Sequence, residues 1–174
     1  MTTFFPDGVP TIGKDLWEWA TVIAVKAAAT VTELNAATTV QLQNAIRPGF
    51  GIESETASVD DERLGSFIVY QTFGRTTRSF PDAIGIDRPQ DTTGVAMRKH
   101  IETIVEGLAG FLINRRGLGS AVENYVAWAT GQKYIITPVT AGPQTFTAAP
   151  DAGGQFEYRQ PFKITGASVF GVVA

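Results

Sequence analysis

The chain has 174 residues, enough for one domain with a sizeable core, and 44% of them are hydrophobic while only 18% are charged. Asp and Glu number 17 against 14 Lys and Arg, and the formal net charge of -3 argues against a basic groove that grips phosphates. There is no cysteine, which excludes disulfides, thiolate metal sites and cysteine nucleophiles.

Met1 to Gly13 contains Pro6, Gly8, Pro10 and Gly13, a density of breakers that predicts an extended N-terminal arm (residues 1–13). The arm carries Phe4 and Phe5, whose burial is worth roughly 1.5–3 kcal/mol each. They are expected to pack either on the chain's own core or on a neighbouring subunit. The start has no basic cluster followed by an apolar run, so no signal peptide is expected. The apolar stretch Ala20 to Ala29 holds Lys26 and is too short to span a membrane. The expectation is a soluble protein made in the cytoplasm.

Aromatic and β-branched residues from Asp15 to Val25 predict a strand. Thr32 to Ala37 suggests a short helical turn, and Val40 to Ile46 alternates as a half-exposed strand until Pro48-Gly49 breaks it. Ile52 to Val59 is polar and small. Glu53, Glu55, Asp60, Asp61 and Glu62 give this region the strongest charge bias in the chain, and a solvated acidic loop is expected over Asp60-Asp61-Glu62. Gly65 to Phe73 contains the β-prone run Phe67-Ile68-Val69-Tyr70. Phe80 to Asp87 predicts another strand, with Pro81 at its edge or start.

The clearest helix is predicted between Asp91 and Gly107. Met97, Ile101, Ile104, Val105 and Leu108 form one apolar stripe, and Arg98, Lys99, Glu102, Thr103 and Glu106 take the other face. Phe111 to Asn114 predicts a buried strand closed by Arg115-Arg116-Gly117. Lys133 to Thr140 predicts a strand bearing Pro138. Phe156 to Thr165 alternates about an interrupting Pro161, and Ala167 to Ala174 is a small, apolar, uncharged C-terminal tail. The sum is a mainly β protein with one α-helix: a β-sandwich or barrel flanked by a helix, with extended arms, in a single domain over 1–174.

Nothing in the sequence selects a catalytic site. His100 is the only histidine, so it cannot supply a multi-ligand zinc set, and no G-x-S-x-G elbow accompanies it; it is expected to be a solvated helix histidine. Gly117-Leu118-Gly119-Ser120 lacks the spacing and lysine of a P-loop. The acidic run lacks EF-hand spacing, so a divalent-cation role is the weaker reading. Arg115-Arg116 is expected to pair with carboxylates on the surface or across a subunit interface rather than to hold phosphate. No catalytic residue, metal or cofactor is expected, and the protein is not expected to be an enzyme.

Phe111-Leu112-Ile113-Asn114, then Arg115-Arg116-Gly117, then Ala127-Trp128-Ala129-Thr130-Gly131-Gln132-Lys133, then Pro138-Val139-Thr140, and finally Phe156 to Thr165 with Pro161 inside, form an ordered set. This set resembles the major tail, or tail tube, proteins of phages with long non-contractile tails, particularly those of actinobacterial hosts. A Thr-Glu-Leu-Asn-Ala turn at 32–36 and a polar strand with Thr-Ala-Ser at 56–58 extend the likeness to about two-thirds of the chain.

The resemblance implies a structural virion protein. Six subunits would close a ring, with sheet edges joined into an inner barrel, and rings would stack into a tube that conducts DNA to the host. The implied partners are copies of itself, a tape measure protein, and tail-terminator and baseplate proteins. Double-stranded DNA would pass transiently, and no membrane is involved. Open sheet edges and greasy ends agree with this, because assembly covers both.

The subunit interface is expected at Phe4 and Phe5, at Glu53, Glu55, Asp60, Asp61 and Glu62, at Arg115 and Arg116, and at Val169, Phe170, Val172 and Val173. Deleting Ala167 to Ala174 is expected to abolish assembly and spare the fold. Two alternatives stay open. One is the tube protein of a contractile injection or secretion system. The other is a small-molecule-binding β-barrel whose pocket is lined by Trp17, Trp19 and Trp128.

Overall fold

The alternation in Asp-Leu-Trp-Glu-Trp-Ala sends Trp17 and Trp19 to one side of a strand and Leu16, Glu18 and Ala20 to the other, and in the folded chain both sides are buried. The computed structural model describes residues 15–42, 45–61, 70–87, 89, 98–117, 127–147 and 156–174. Its elements, in chain order, are β1 (Asp15–Ala20), α1 (Val31–Leu34), β2 (Val40–Gln41), β3 (Glu53–Asp61), β4 (Tyr70–Ser79), β5 (Ala83–Ile86), α2 (Lys99–Thr103), β6 (Ala109–Arg116), β7 (Lys133–Ala141), β8 (Thr145–Thr147), β9 (Glu157–Gln160), β10 (Phe162–Ile164) and β11 (Val169–Val172).

The main sheet is antiparallel in the order β10-β7-β6-β1-β2, with β11 also on β7. Along its free side β7 takes β11 over residues 133–136 and β10 over 139–141. Pro138 lies in the gap between them, where its carbonyl accepts the Thr165 amide at 3.0 Å. The ladder bond that proline cannot donate therefore falls where no partner strand runs, which is how a central strand tolerates it. Pro161 ends β9 and starts β10, passing the chain from a second sheet, β5-β9-β8, into the main one.

Both faces of the main sheet carry a core. On one, Trp17, Trp19, Leu112, Val139 and Phe162 pack with Phe50, Phe80 and Ile104. Trp17 meets the Phe50 ring edge-on at 5.2 Å, and Phe50 stacks on Phe80 at 5.2 Å. Trp19 lies over Gly110, where any Cβ would come within 2.4 Å of the indole. On the other face, Ala20, Ile113, Tyr134 and Ile136 are covered by Leu34, Trp128 and Val173. Helix α1 opens with a capping box, in which the Thr30 hydroxyl accepts the Glu33 amide at 3.3 Å and the Glu33 carboxylate accepts the Thr30 amide at 2.8 Å.

The mainly β architecture agrees with the sequence expectation, and the helical part differs. Among the described residues there are two short helices: α1 lies where a helical turn was expected at Thr32 to Ala37, and within the Asp91 to Gly107 stretch α2 spans Lys99–Thr103, residues 90–97 lying outside the described set. Helix α2 stops because Ile104 leaves helical geometry at φ -95° and ψ 76°. The side-chain amides of Gln144 and Gln160 then donate to the freed Ile104 carbonyl at 2.9 and 2.7 Å. Asp60 and Asp61 end β3 rather than forming a loop, and Val169–Val172 form β11 rather than a free tail.

Candidate assembly surfaces

Among the described residues β3 and β4 pair only with each other and form a two-stranded sheet of their own. The hairpin meets the body chiefly where β4 touches β10 at its root. Residues 53–60 and 71–79 stay exposed except Gly74, so both faces of the hairpin stand in solvent. Cross-strand pairing puts Ser54 beside Arg78, Thr56 beside Thr76, Ser58 beside Phe73 and Asp60 beside Gln71 on one face. The two threonine hydroxyls are 2.9 Å apart, and the Gln71 amide donates to the Asp60 carboxylate at 3.0 Å. Amid these polar pairs Phe73, a large apolar ring, is 93% exposed.

A second surface lies at the free side of β11. Phe170, 75% exposed, and the half-exposed Val172 stand on the same face as Ile135 and Lys133 of β7. Beyond β11 no described strand pairs, so its outer backbone groups form an open edge.

A family model described as phage tail tube protein matches residues 2–174. The chain belongs to the phage tail tube protein family. No curated protein matches it in sequence. Its role is therefore structural: it belongs to the tail of a phage virion, where it assembles with copies of itself and other tail proteins into a tube.

Within that family reading, the residues expected at interfaces separate into four groups. Phe4, Phe5 and Glu62 lie outside the described residues. Glu53, Glu55 and Asp60 are exposed on β3, and Asp61 closes it. Arg116 is exposed and opposite Asp15, Val169 is half-buried, and Phe170 and Val172 face outward. Arg115 and Val173 turn inward, which corrects the expectation for both side chains. Val173 belongs to the second core, and Arg115 is only 1% exposed.

Arg115 is part of a buried polar group that the sequence did not suggest. Its guanidinium lies 4.2 Å from the centre of the Trp128 ring and donates to the Gln132 side-chain oxygen at 2.9 Å. The Trp128 indole N–H donates to the Glu18 carboxylate at 2.7 Å. Burial pushes the Glu18 carboxyl up to about 7, against the opposing pull of the Trp128 hydrogen bond and the Arg115 charge. One signal was available: a glutamate between two tryptophans in a strand buried on both faces requires a buried partner.

His100 is another correction. Far from being solvated, it is 1% exposed and lies against the Tyr158 ring at 4.7 Å. Burial, with the Arg98 charge adding to it, lowers its pKa to about 4, so the imidazole is neutral in the fold. Neither ring nitrogen has a hydrogen-bond partner among the described residues. Trp17, Trp19 and Trp128 belong to the two cores rather than to the wall of a ligand pocket. Among the described residues no group of three or more His, Asp or Glu is placed to hold a metal ion, and no helix is long and apolar enough to cross a membrane.

Proposed function

We propose that this tail tube subunit closes into rings of six and that the rings stack into the conduit through which double-stranded DNA reaches the host. The observation that carries this reading is the β3–β4 hairpin, exposed on both faces and bearing Phe73. A lone two-stranded hairpin is marginally stable in water, and covering it with a like subunit removes that cost. The open β11 edge with Phe170 and Val172 supports lateral joining of sheets around a ring. A net acidic subunit gives phosphates little to hold, which suits passage rather than binding.

On this reading the subunit is made in the host cytoplasm and meets a tape measure protein, a tail terminator and baseplate proteins at the two ends of the tube. Negative-stain microscopy of the concentrated protein, with tail assembly factors supplied, should show stacked rings with sixfold end views. Persistent monomers under those conditions, or rings of another order, would refute the corresponding part of the proposal.

A further inference from the structure

At the root of the hairpin, where β4 reaches β10, lies a cleft of about 460 Å³. Its walls include the apolar groups of Ala141, Pro161, Phe162 and Ile164, and Arg78 and Lys163 stand at its charged rim. Gly142 keeps its wall thin, since a Cβ there would come within 2.7 Å of the Pro161 ring. Farther out on the hairpin face that carries Arg78 stand Phe73 and Asp60. One molecule thus presents an apolar hollow with a basic rim and an apolar knob with an acidic neighbour.

We infer that the cleft is the docking site for Phe73 of a second copy of this chain, with Asp60 of that copy meeting Lys163 and Arg78. A subunit cannot fill its own cleft. Phe73 and the cleft-lining Ser79 lie six positions apart on the same strand, so β4 holds them about 20 Å apart at ~3.3 Å per residue. Knob and hollow are different surfaces, and repeating such a heterologous contact propagates an assembly rather than ending it in a dimer. The charges are complementary across the contact, which sets its register. The inference rests on the tube reading and specifies where copies meet.

The test uses the full chain, which has no native cysteine. Ser58→Cys, beside Phe73 on the facing strand, and Lys163→Cys, on the rim, are made separately, mixed and oxidised under assembly conditions. A disulfide linking one variant to the other is expected, and it should vanish when the remote, exposed Thr130→Cys replaces Lys163→Cys. Phe73→Ser should raise the concentration needed for assembly by about tenfold or more. Because Phe73 is exposed in the subunit, the thermal midpoint of the monomer should not move. Asp60→Lys and Lys163→Glu should each weaken assembly, and together restore it.

Tubes that form equally well from Phe73→Ser, or that form without the cross-link between the Ser58→Cys and Lys163→Cys variants, overturn the docking and leave the tube reading standing. Linkage without any tubes upholds the docking and removes the tube reading. Lys163→Cys linking to Phe4→Cys instead puts the N-terminal arm in the cleft and overturns the inference.

Discussion

Replacing Glu18 with glutamine should expose a pH dependence that the native protein largely conceals. Glu18 is raised from 4.5 to about 7, so between those values the unfolded chain releases a proton that the fold retains, and stability falls as pH rises. The displacement corresponds to about 3 kcal/mol in total. His100 is lowered from 6.5 to about 4, so between those values the unfolded chain takes up a proton that the fold refuses, and stability falls as pH drops. Its total is also about 3 kcal/mol.

From pH 4.5 to 6.5 the two slopes oppose each other and nearly cancel. Glu18→Gln should remove one of them, leaving a variant that loses about 3 kcal/mol, relative to wild type, on acidification from 6.5 to 4. His100→Phe should leave the other, so that relative stability declines by about 3 kcal/mol from pH 4.5 to 7. Urea unfolding of dilute monomer, followed by tryptophan fluorescence at a series of pH values, measures both. A pH-independent offset from the lost charge is expected and does not matter, because the difference in slope is the readout. If Glu18→Gln runs parallel to wild type throughout, the carboxyl titrates normally and the account of its burial is wrong.

Four further outcomes follow from the packing. Gly110→Ala pushes a methyl into the Trp19 indole and should cost about 1–3 kcal/mol in denaturant unfolding. Removing residues 167–174 strips β11 from β7 and takes Val173 from the second core, a burial worth about 1.5–3 kcal/mol, so the truncated chain should melt earlier rather than keep its fold intact. Phe170→Ser, by contrast, changes a side chain already in solvent and should leave the melting temperature alone while weakening assembly; an unchanged assembly would remove the β11 edge from the interface. Amide hydrogen exchange in β3 and β4 should be fast in the monomer and slow in the assembly, and body-like protection in the monomer would show that the hairpin needs no partner.

Local pattern carried the strands well. β6, β7 and the β9–β10 pair fall where alternation, β-branched residues and Pro161 placed them, because each of those signals acts over a few residues. Over Asp91 to Gly107 a 3.6-residue stripe says which residues share a face but not where tertiary contacts end the helix. Here the side-chain amides of Gln144 and Gln160, both distant in sequence, take over the Ile104 carbonyl. The same stripe put His100 on the wet side, while Tyr158, 58 residues later, covers it. Arg115 was misplaced for a related reason: its surroundings are built from β1, β7's approach and Trp128, and no spacing near Arg115-Arg116 reveals a glutamate at position 18.

The division between body and hairpin explains why the assembly surfaces were partly legible and the buried network was not. Polar groups of the body pair across long stretches of chain: Glu18 with Trp128, Arg115 with Gln132, Gln160 with the Ile104 carbonyl at the end of α2. Such pairs join residues far apart in sequence and leave no local trace. In the hairpin the described side-chain pairs join adjacent strands, such as Thr56–Thr76 and Gln71–Asp60, each worth about 0.2–1 kcal/mol, and Phe73 stays outside. Residues 53–62 are polar, acidic and small, and that bias is visible in the sequence. An element so weakly tied to its own subunit gains most from a second copy, so the feature easiest to notice in the sequence is also the one whose stability the single chain leaves incomplete.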